Sequence, residues 1–245
     1  MASTSPSPIG IIGGMSWEST THYYQEINRR YRERRGGHHS APILLYSLDF
    51  APIEALQRAE NWRGAAEILV DGARRLERAG AGALLLATNT MHLVFDELAA
   101  ATTVPWIHIA DATGDALRRD GRRRIGLLGT RFTMERSFYR ERLRERYGLE
   151  VLIPTEGERE EVHRVIYDEL VHGVIREESR EYYRRVIRRL GEEGAEAVVF
   201  GCTEIGLLVA PETSTVASYD TTALHAAAAV EWVSPSESVM EEERP

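Results

Sequence analysis

Short apolar runs alternate with longer amphipathic stretches along almost the whole chain. Eight runs read as strands: Ile9–Ile12, Ile43–Leu48, Ala83–Ala87, Trp106–Ile109, Ile125–Leu128, Glu150–Ile153, Ala197–Phe200 and Val216–Tyr219. They are continuous in apolar residues rather than alternating, the pattern of parallel strands covered on both faces. Between them, Ser19–Arg34, Trp62–Ala79, Met134–Tyr147, Glu158–His172 and Ser179–Leu190 carry apolar residues three and four positions apart and read as helices. Gly36, Gly80, Gly148, Gly173 and Gly191 stand where those helices should end. The alternation predicts an α/β protein with parallel sheets and right-handed crossovers. In such sheets ligands gather at the C-terminal strand ends, which here carry Gly13-Gly14, Thr88, Thr130 and Cys202.

The pattern also repeats. Gly80-Ala81-Gly82-Ala83-Leu84-Leu85-Leu86-Ala87-Thr88-Asn89-Thr90 matches Gly194 through Glu204 at a constant offset of 114 positions, and Arg74-Arg75-Leu76 matches Arg188-Arg189-Leu190 at the same offset. Ile9-Gly10-Ile11-Ile12-Gly13-Gly14 mirrors Ile125-Gly126-Leu127-Leu128-Gly129-Thr130 at an offset of 116. The expected fold is therefore two pseudo-symmetric doubly wound domains, each a mainly parallel sheet flanked by helices, with an active site in the cleft between them. Residues 9–103 with 214–233 should form the first domain, the last strand and helix returning to it, and residues 104–213 the second. The Ser/Pro-rich stretch 1–8 and the acidic stretch 234–245 read as disordered tails.

Composition narrows the chemistry. The 245 residues, 43% hydrophobic and 28% charged, suit a soluble globule. A formal net charge of −8 gives no global attraction to nucleic acid or to an anionic membrane, and neither is expected as a partner. No apolar run approaches a membrane span, and no secretory signal is read at the start. A single cysteine excludes an intrachain disulfide framework and cysteine-cluster zinc sites, and fits a cytoplasmic location. All 30 basic residues are arginine. Without lysine the chain cannot hold pyridoxal phosphate as a lysine Schiff base, and P-loop and lysine-aldol chemistry fall with it. The arginine-rich runs at Arg29–Arg35 and Arg140–Arg146 interleave with glutamates at helical spacing and read as salt-bridged solvent faces.

The chemistry-bearing residues sit at matched places in the repeat. Cys202 follows a strand and enters a helix N-terminus, where the positive end of the dipole should favour thiolate. Thr88 holds the equivalent position in the first half. Thr88-Asn89-Thr90 could cap a helix or offer donors to a carboxylate, and Thr130 and Thr203 could add contacts. Gly10-Ile11-Ile12-Gly13-Gly14 does not match the dinucleotide fingerprint and reads as a tight strand-to-helix turn presenting Met15 and Ser16. His92, four residues after Thr88, could orient the site or be structural. Glu204 could accept a substrate ammonium or cap its helix. Asp111 and Asp220 read as strand-end hydrogen-bonding groups. His38-His39 lacks partners at metal-ligand spacing and reads as loop, so no metal is expected.

The strings Ile11-Ile12-Gly13-Gly14-Met15-Ser16-Trp17-Glu18-Ser19-Thr20, Thr88-Asn89-Thr90-Met91-His92 and Gly201-Cys202-Thr203-Glu204-Ile205-Gly206-Leu207-Leu208 resemble the aspartate/glutamate racemase family from about Ile9 to Trp232. The resemblance implies a cofactor-independent enzyme in which two cysteines flank the substrate α-carbon, and a homodimer. This chain has Thr88 where the first cysteine stands, which resembles the L-aspartate/glutamate-specific subgroup. That likeness implies that Met15, Gln57, Thr88, Asn89, Thr90, Cys202 and Thr203 line the pocket, with Cys202 abstracting the Cα proton of L-aspartate or L-glutamate and Thr88 reprotonating. Glu169-Leu170-Val171-His172-Gly173 lacks the lysine that some aspartate racemases place just before this glycine, so the side-chain carboxylate needs another anchor. Two other readings stand beside this one. One is a decarboxylase resembling the arylmalonate decarboxylases, which keep only the second-half cysteine. The other is a carboxylate-binding sensor.

Overall fold

A computed structural model describes residues 7–209 and 216–234; the expectations for 1–6, 210–215 and 235–245 lie outside the described residues. The chain forms two compact units. The first takes the chain through Ala87, Val94–Ile107 and the stretch from His225 on; the second takes Thr88–Leu93 and His108–Leu224.

In the first unit the chain runs β1 (Ile9–Gly13), α1 (Trp17–Arg35), β2 (Ile43–Ser47), α2 (Phe50–Arg58), α3 (Trp62–Arg78), β3 (Ala83–Leu86), α4 (Phe95–Ala100) and β4 (Trp106–Ile107). The sheet order is β2-β1-β3-β4, with every pair parallel. The chain steps outward from β1 to β2 and then crosses back to β3, so the topological switch lies between the C-terminal ends of β1 and β3. β1 and β3 are buried along their length, whereas the edge strand β2 is half-exposed. The continuous apolar run of β2 thus overstated its burial. Helix α3 buries Ala65, Ala66, Leu69, Ala73 and Leu76, a single stripe at helical spacing. Its partner layer packs Tyr23, Ile27 and Tyr31 of α1 with Ile9, Ile11 and Leu85. Helix α2 was not foreseen; its Pro52 falls in the first turn, where a missing N–H loses no intrahelical bond.

The second unit contains α5 (Ile109–Arg119), β5 (Arg124–Gly129), α6 (Arg131–Glu135), α7 (Ser137–Tyr147), β6 (Glu150–Leu152), α8 (Glu156–Asp168), α9 (Glu177–Glu192), β7 (Ala197–Gly201), α10 (Ile205–Leu208) and β8 (Ala217–Asp220). Its sheet order, β6-β5-β7-β8, again all parallel, repeats that of the first. One face packs Val162, Val165, Tyr183, Val186 and Leu190 against Leu128, Val198 and Phe200. The other packs Ile109, Leu117, Tyr139 and Leu143 against Ile125, Leu127 and Val199. Helices therefore cover both faces, as the repeat required.

Several boundaries differ from expectation. β8 pairs with β7 in the second sheet and does not return to the first, because its backbone completes the ladder from Ala197 to Phe200. The helix after it, α11 (Thr221–Val233), joins the first unit from His225 on, where Ala226, Ala229, Val230 and Val233 enter the core. β4 stays with the first sheet by pairing Leu84 with Trp106 and Leu85 with Ile107. The expected helix Met134–Tyr147 breaks at Arg136, whose backbone is extended. That expected over Glu158–His172 breaks at Glu169 before a 3-10 turn, Leu170–His172. Gly191 lies inside α9, and the turn falls to Gly194 at φ 97°. The first arginine run behaves as read, Arg29 pairing with Glu26 and Glu33 and Arg30 with Glu26, whereas in the second Arg142 and Arg146 pair across to Asp111 of α5 rather than with glutamates of their own helix. Among the described residues no helix is long and apolar enough to cross a membrane.

Candidate active site

The predicted site residues all fall at strand ends or in the turns after them, except Gln57. In the first unit, Gly14 turns the chain out of β1 at φ 89°, and a Cβ there would lie 2.1 Å from the Leu48 carbonyl oxygen, so the backbones approach too closely for any side chain. The Gly14 N–H donates to Thr20 Oγ1 at 2.7 Å, and Ser16 caps α1 by accepting from the Ser19 N–H at 3.2 Å. Met15 and Ser16 are thereby held buried in the turn, and Gln57 is buried near the end of α2. These two predicted pocket residues, Met15 and Gln57, belong to the first unit.

Thr88, Asn89, Thr90, Thr130, Cys202, Thr203 and Glu204 all belong to the second unit, whereas the sequence had placed Thr88 and Cys202 in different domains. The reason is a set of side-chain bonds that tie the segment after β3 to this unit. Thr90 Oγ1 lies 2.9 Å from Thr130 Oγ1, and Thr130 caps α6. Asn89 Nδ2 donates to Thr221 Oγ1 at 3.0 Å, and the Thr221 hydroxyl donates to the Phe200 carbonyl at 2.8 Å, two residues before Cys202. The Thr88 segment is thus linked, through Thr221, to the C-terminal end of the strand that precedes Cys202. At the same end a Cβ on Gly129 would lie 2.6 Å from the Gly201 carbonyl oxygen, so β5 and β7 close together there.

His92 is a positioning group. Its Nδ1–H donates to the Thr88 carbonyl at 2.7 Å and its Nε2 accepts from the Ile109 N–H at 3.4 Å. Both bonds are met together only by the neutral ring protonated at Nδ1. His108 packs edge-on against it at 4.4 Å and caps α5. Asp220 accepts from the Thr222 N–H at the start of α11 and Asp111 holds Arg142, the bonding roles read for them from sequence.

The thiol departs from expectation. Cys202 is buried, and its Sγ donates to Glu204 Oε2 at 3.0 Å, which also accepts from Thr203 Oγ1 at 2.7 Å. Burial among apolar side chains and the adjacent Glu204 carboxylate push the thiol well above its ordinary pKa. The helix it enters, α10, has only four residues, and its dipole cannot offset those effects. Cys202 therefore rests as a thiol with a carboxylate as proton acceptor, not as a thiolate. Glu204 makes no side-chain bond to the α10 N-terminus, so helix capping is not its role.

Two buried oxygens here have no hydrogen-bond partner among the described residues: Asn89 Oδ1 and Thr222 Oγ1. Thr221 and Thr222 were not among the residues expected at the site, although both follow a strand end. Elsewhere, His22, Arg29, Arg32, His38 and His39 help to line a cavity of about 720 Å³ beside α1, which none of the predicted site residues lines. Among the described residues no group of three or more His, Cys, Asp or Glu side chains could hold a metal ion.

Comparison with known proteins identifies the family. A putative Asp/Glu racemase from Yersinia pestis is 50% identical, with 93% of this chain and 99% of that one covered at a TM-score of 0.86. An aspartate racemase homologue from Pyrococcus horikoshii is 36% identical, with 93% and 99% covered at 0.80. The broad specificity amino-acid racemase RacX of Bacillus subtilis is 26% identical over 139 residues, 56% of this chain; the chain spans 60% of the length of that curated relative. Residues 12–229 match the Asp/Glu/Hydantoin racemase family, and the chain belongs to that family of racemases.

Proposed function

We propose that this protein is a cofactor-independent racemase of acidic amino acids, L-aspartate or L-glutamate, with Cys202 as its working base. The observation that carries the proposal is the buried Cys202–Glu204 pair just after β7, at a strand end to which Thr221 links the Thr88–Asn89 segment by hydrogen bonds. The names of the racemase relatives support the substrate class. The absence of lysine supports chemistry without a pyridoxal Schiff base.

The steps follow from the resting thiol. Glu204 Oε2 takes the Cys202 proton, leaving a thiolate and a neutral carboxyl. The thiolate removes the Cα proton of the L isomer and becomes a thiol again. The carbanion takes a proton from the Thr88 hydroxyl on its other face, and that hydroxyl draws a proton from solvent in the same step, while Glu204 gives its proton up to solvent and restores the resting pair. An aliphatic hydroxyl is far less acidic than a thiol, which in an ordinary exposed setting titrates at about 8.5. Thr88 can pass a proton inward but cannot rest as an alkoxide base. Exchange at the L isomer is therefore faster than at the D isomer. The orphaned Asn89 Oδ1 suits the substrate ammonium, and Thr90, Thr130 and Thr203 offer hydroxyls to its carboxylates.

The test is Cα exchange in heavy water, followed by NMR for each enantiomer without added pyridoxal phosphate. The expected result is exchange of the L isomer that Cys202→Ala abolishes. Absence of L exchange, or equal exchange in Cys202→Ala, overturns the proposal. The single cysteine also fits a malonate decarboxylase, which release of carbon dioxide from an arylmalonate would reveal; a sensor would bind the acids with no exchange.

A further inference from the structure

We infer that Thr221 is a specificity-determining positioning residue: it fixes the Asn89 side-chain amide with its carbonyl oxygen free, and so selects ligands that bring an α-ammonium. This rests on the proposed reading of the site as one for acidic amino acids. The inventory of donors and acceptors decides the orientation of the amide. A threonine hydroxyl has one proton. That of Thr221 goes to the Phe200 carbonyl at 2.8 Å, so the Thr221 oxygen is left only as an acceptor. Asn89 meets it at 3.0 Å and must therefore present Nδ2. Its Oδ1 is then turned the other way, where it has no partner among the described residues although Asn89 is 2% exposed. Thr221 is itself fully buried at the first position of α11. The side chain that sets the polarity of Asn89 thus sits in a different element and cannot turn without losing the strand-end carbonyl.

A buried acceptor without a partner is costly, and a ligand that supplies a donor relieves that cost. A site built around such an acceptor discriminates strongly against analogues lacking the donor. L-Aspartate carries the donor, and succinate has the same two carboxylates without it. In Thr221→Val the shape is kept but the acceptor for Nδ2 is lost. The amide is then free to reverse and to turn its donors toward the ligand.

The experiment is calorimetric titration of the full chain with L-aspartate and with succinate, repeated with L-glutamate and glutarate. Thr221→Val is expected to weaken the amino acids at least tenfold while changing the diacids less than about twofold, and Thr221→Ser to restore the wild-type preference. Equal weakening of amino acid and diacid, or unchanged amino acid affinity, overturns the inference. Should Thr221→Val fail to fold, the wild-type Asn89 side-chain NH2 resonances decide: protection from solvent exchange with and without L-aspartate is expected, and exchange at the free-amide rate overturns it. Tight L-aspartate binding without Cα exchange would sink the racemase reading and leave this inference standing. Binding of neither acid class by the wild type would sink both.

Discussion

His225 makes stability depend on pH in a window that the structure defines. The ring is fully buried in the first unit. Tyr23 donates its hydroxyl to Nδ1 at 3.1 Å, and Nε2–H donates to the Ile107 carbonyl at 2.8 Å, so the neutral ring meets both bonds. Burial pulls its pKa from 6.5 down to about 4, the bond to Ile107 opposing only in part. Between those two values the unfolded chain holds more protons at this residue than the folded one. Stability therefore rises with pH through the window, is fully present above 6.5, and is lost as pH falls toward 4. The whole shift corresponds to about 3 kcal/mol, of which about 2 kcal/mol is lost by pH 5. His225→Gln keeps a donor and an acceptor but does not titrate. Urea unfolding of both proteins at pH 7.5 and pH 5.0 isolates the contribution, because the carboxylates common to both cancel in the double difference. The wild type should lose about 2 kcal/mol more than the variant on acidification. An equal loss in the two proteins, or a ring titration by NMR near 6.5 in the folded state, would refute the assignment.

Replacing Glu204 by Gln removes the carboxylate that raises the thiol. The pH midpoint of Cys202 alkylation should fall, while L-isomer exchange at neutral pH also falls for want of a proton acceptor; a midpoint that stays or rises counts against the pair. In the wild type the active thiolate–carboxyl pair holds the same protons as the resting pair, and the thiol lies well above its ordinary range, so L exchange should change little from pH 7 to 9; a steep climb there would contradict internal transfer to Glu204. Thr88→Cys supplies the missing base, so exchange of the D isomer should rise at least tenfold relative to wild type, a gain within the range of general base catalysis. Gly14→Ala places a Cβ against the Leu48 backbone at φ 89°, and should lower the unfolding free energy by about 2 kcal/mol or more, read as a fall in Tm.

The parts of this fold that local pattern controls were legible, and the parts set by tertiary partners were not. Among the described residues the eight runs read as strands all form strands: β1, β3, β5 and β7 because buried parallel strands are apolar throughout, and the more exposed edge strands because they stand in the same strand–helix alternation; the repeat placed Thr88 and Cys202 at matching ends. The repeat also held the signal for β8: at the 114-residue offset Trp106 of β4 matches Asp220 of β8, so an edge strand of the first sheet predicts an edge strand of the second. Reading β8 into the first domain followed α11, whose Ala226, Ala229 and Val230 do enter that core, and extended the same destination to a strand whose hydrogen bonds go elsewhere. The thiol is the sharper case. From sequence, a cysteine before a helix implies a lowered pKa. In the fold that helix is one short turn, and the nearest charge is the carboxylate two residues on. The two influences differ in range as well as sign. A short helix offers a fractional charge along its axis, whereas Glu204 offers a full negative charge at 3.0 Å in a site with little water. The carboxylate wins, and in the proposed mechanism proton transfer from Cys202 to Glu204 is the event that starts the chemistry. A resting thiol is also protected from oxidation and alkylation, because the nucleophilic thiolate is scarce in the free protein. Alkylation of Cys202 at pH 7 should therefore be slow in the free protein, and an alkylation rate matching that of a free thiol would refute this account of the pair.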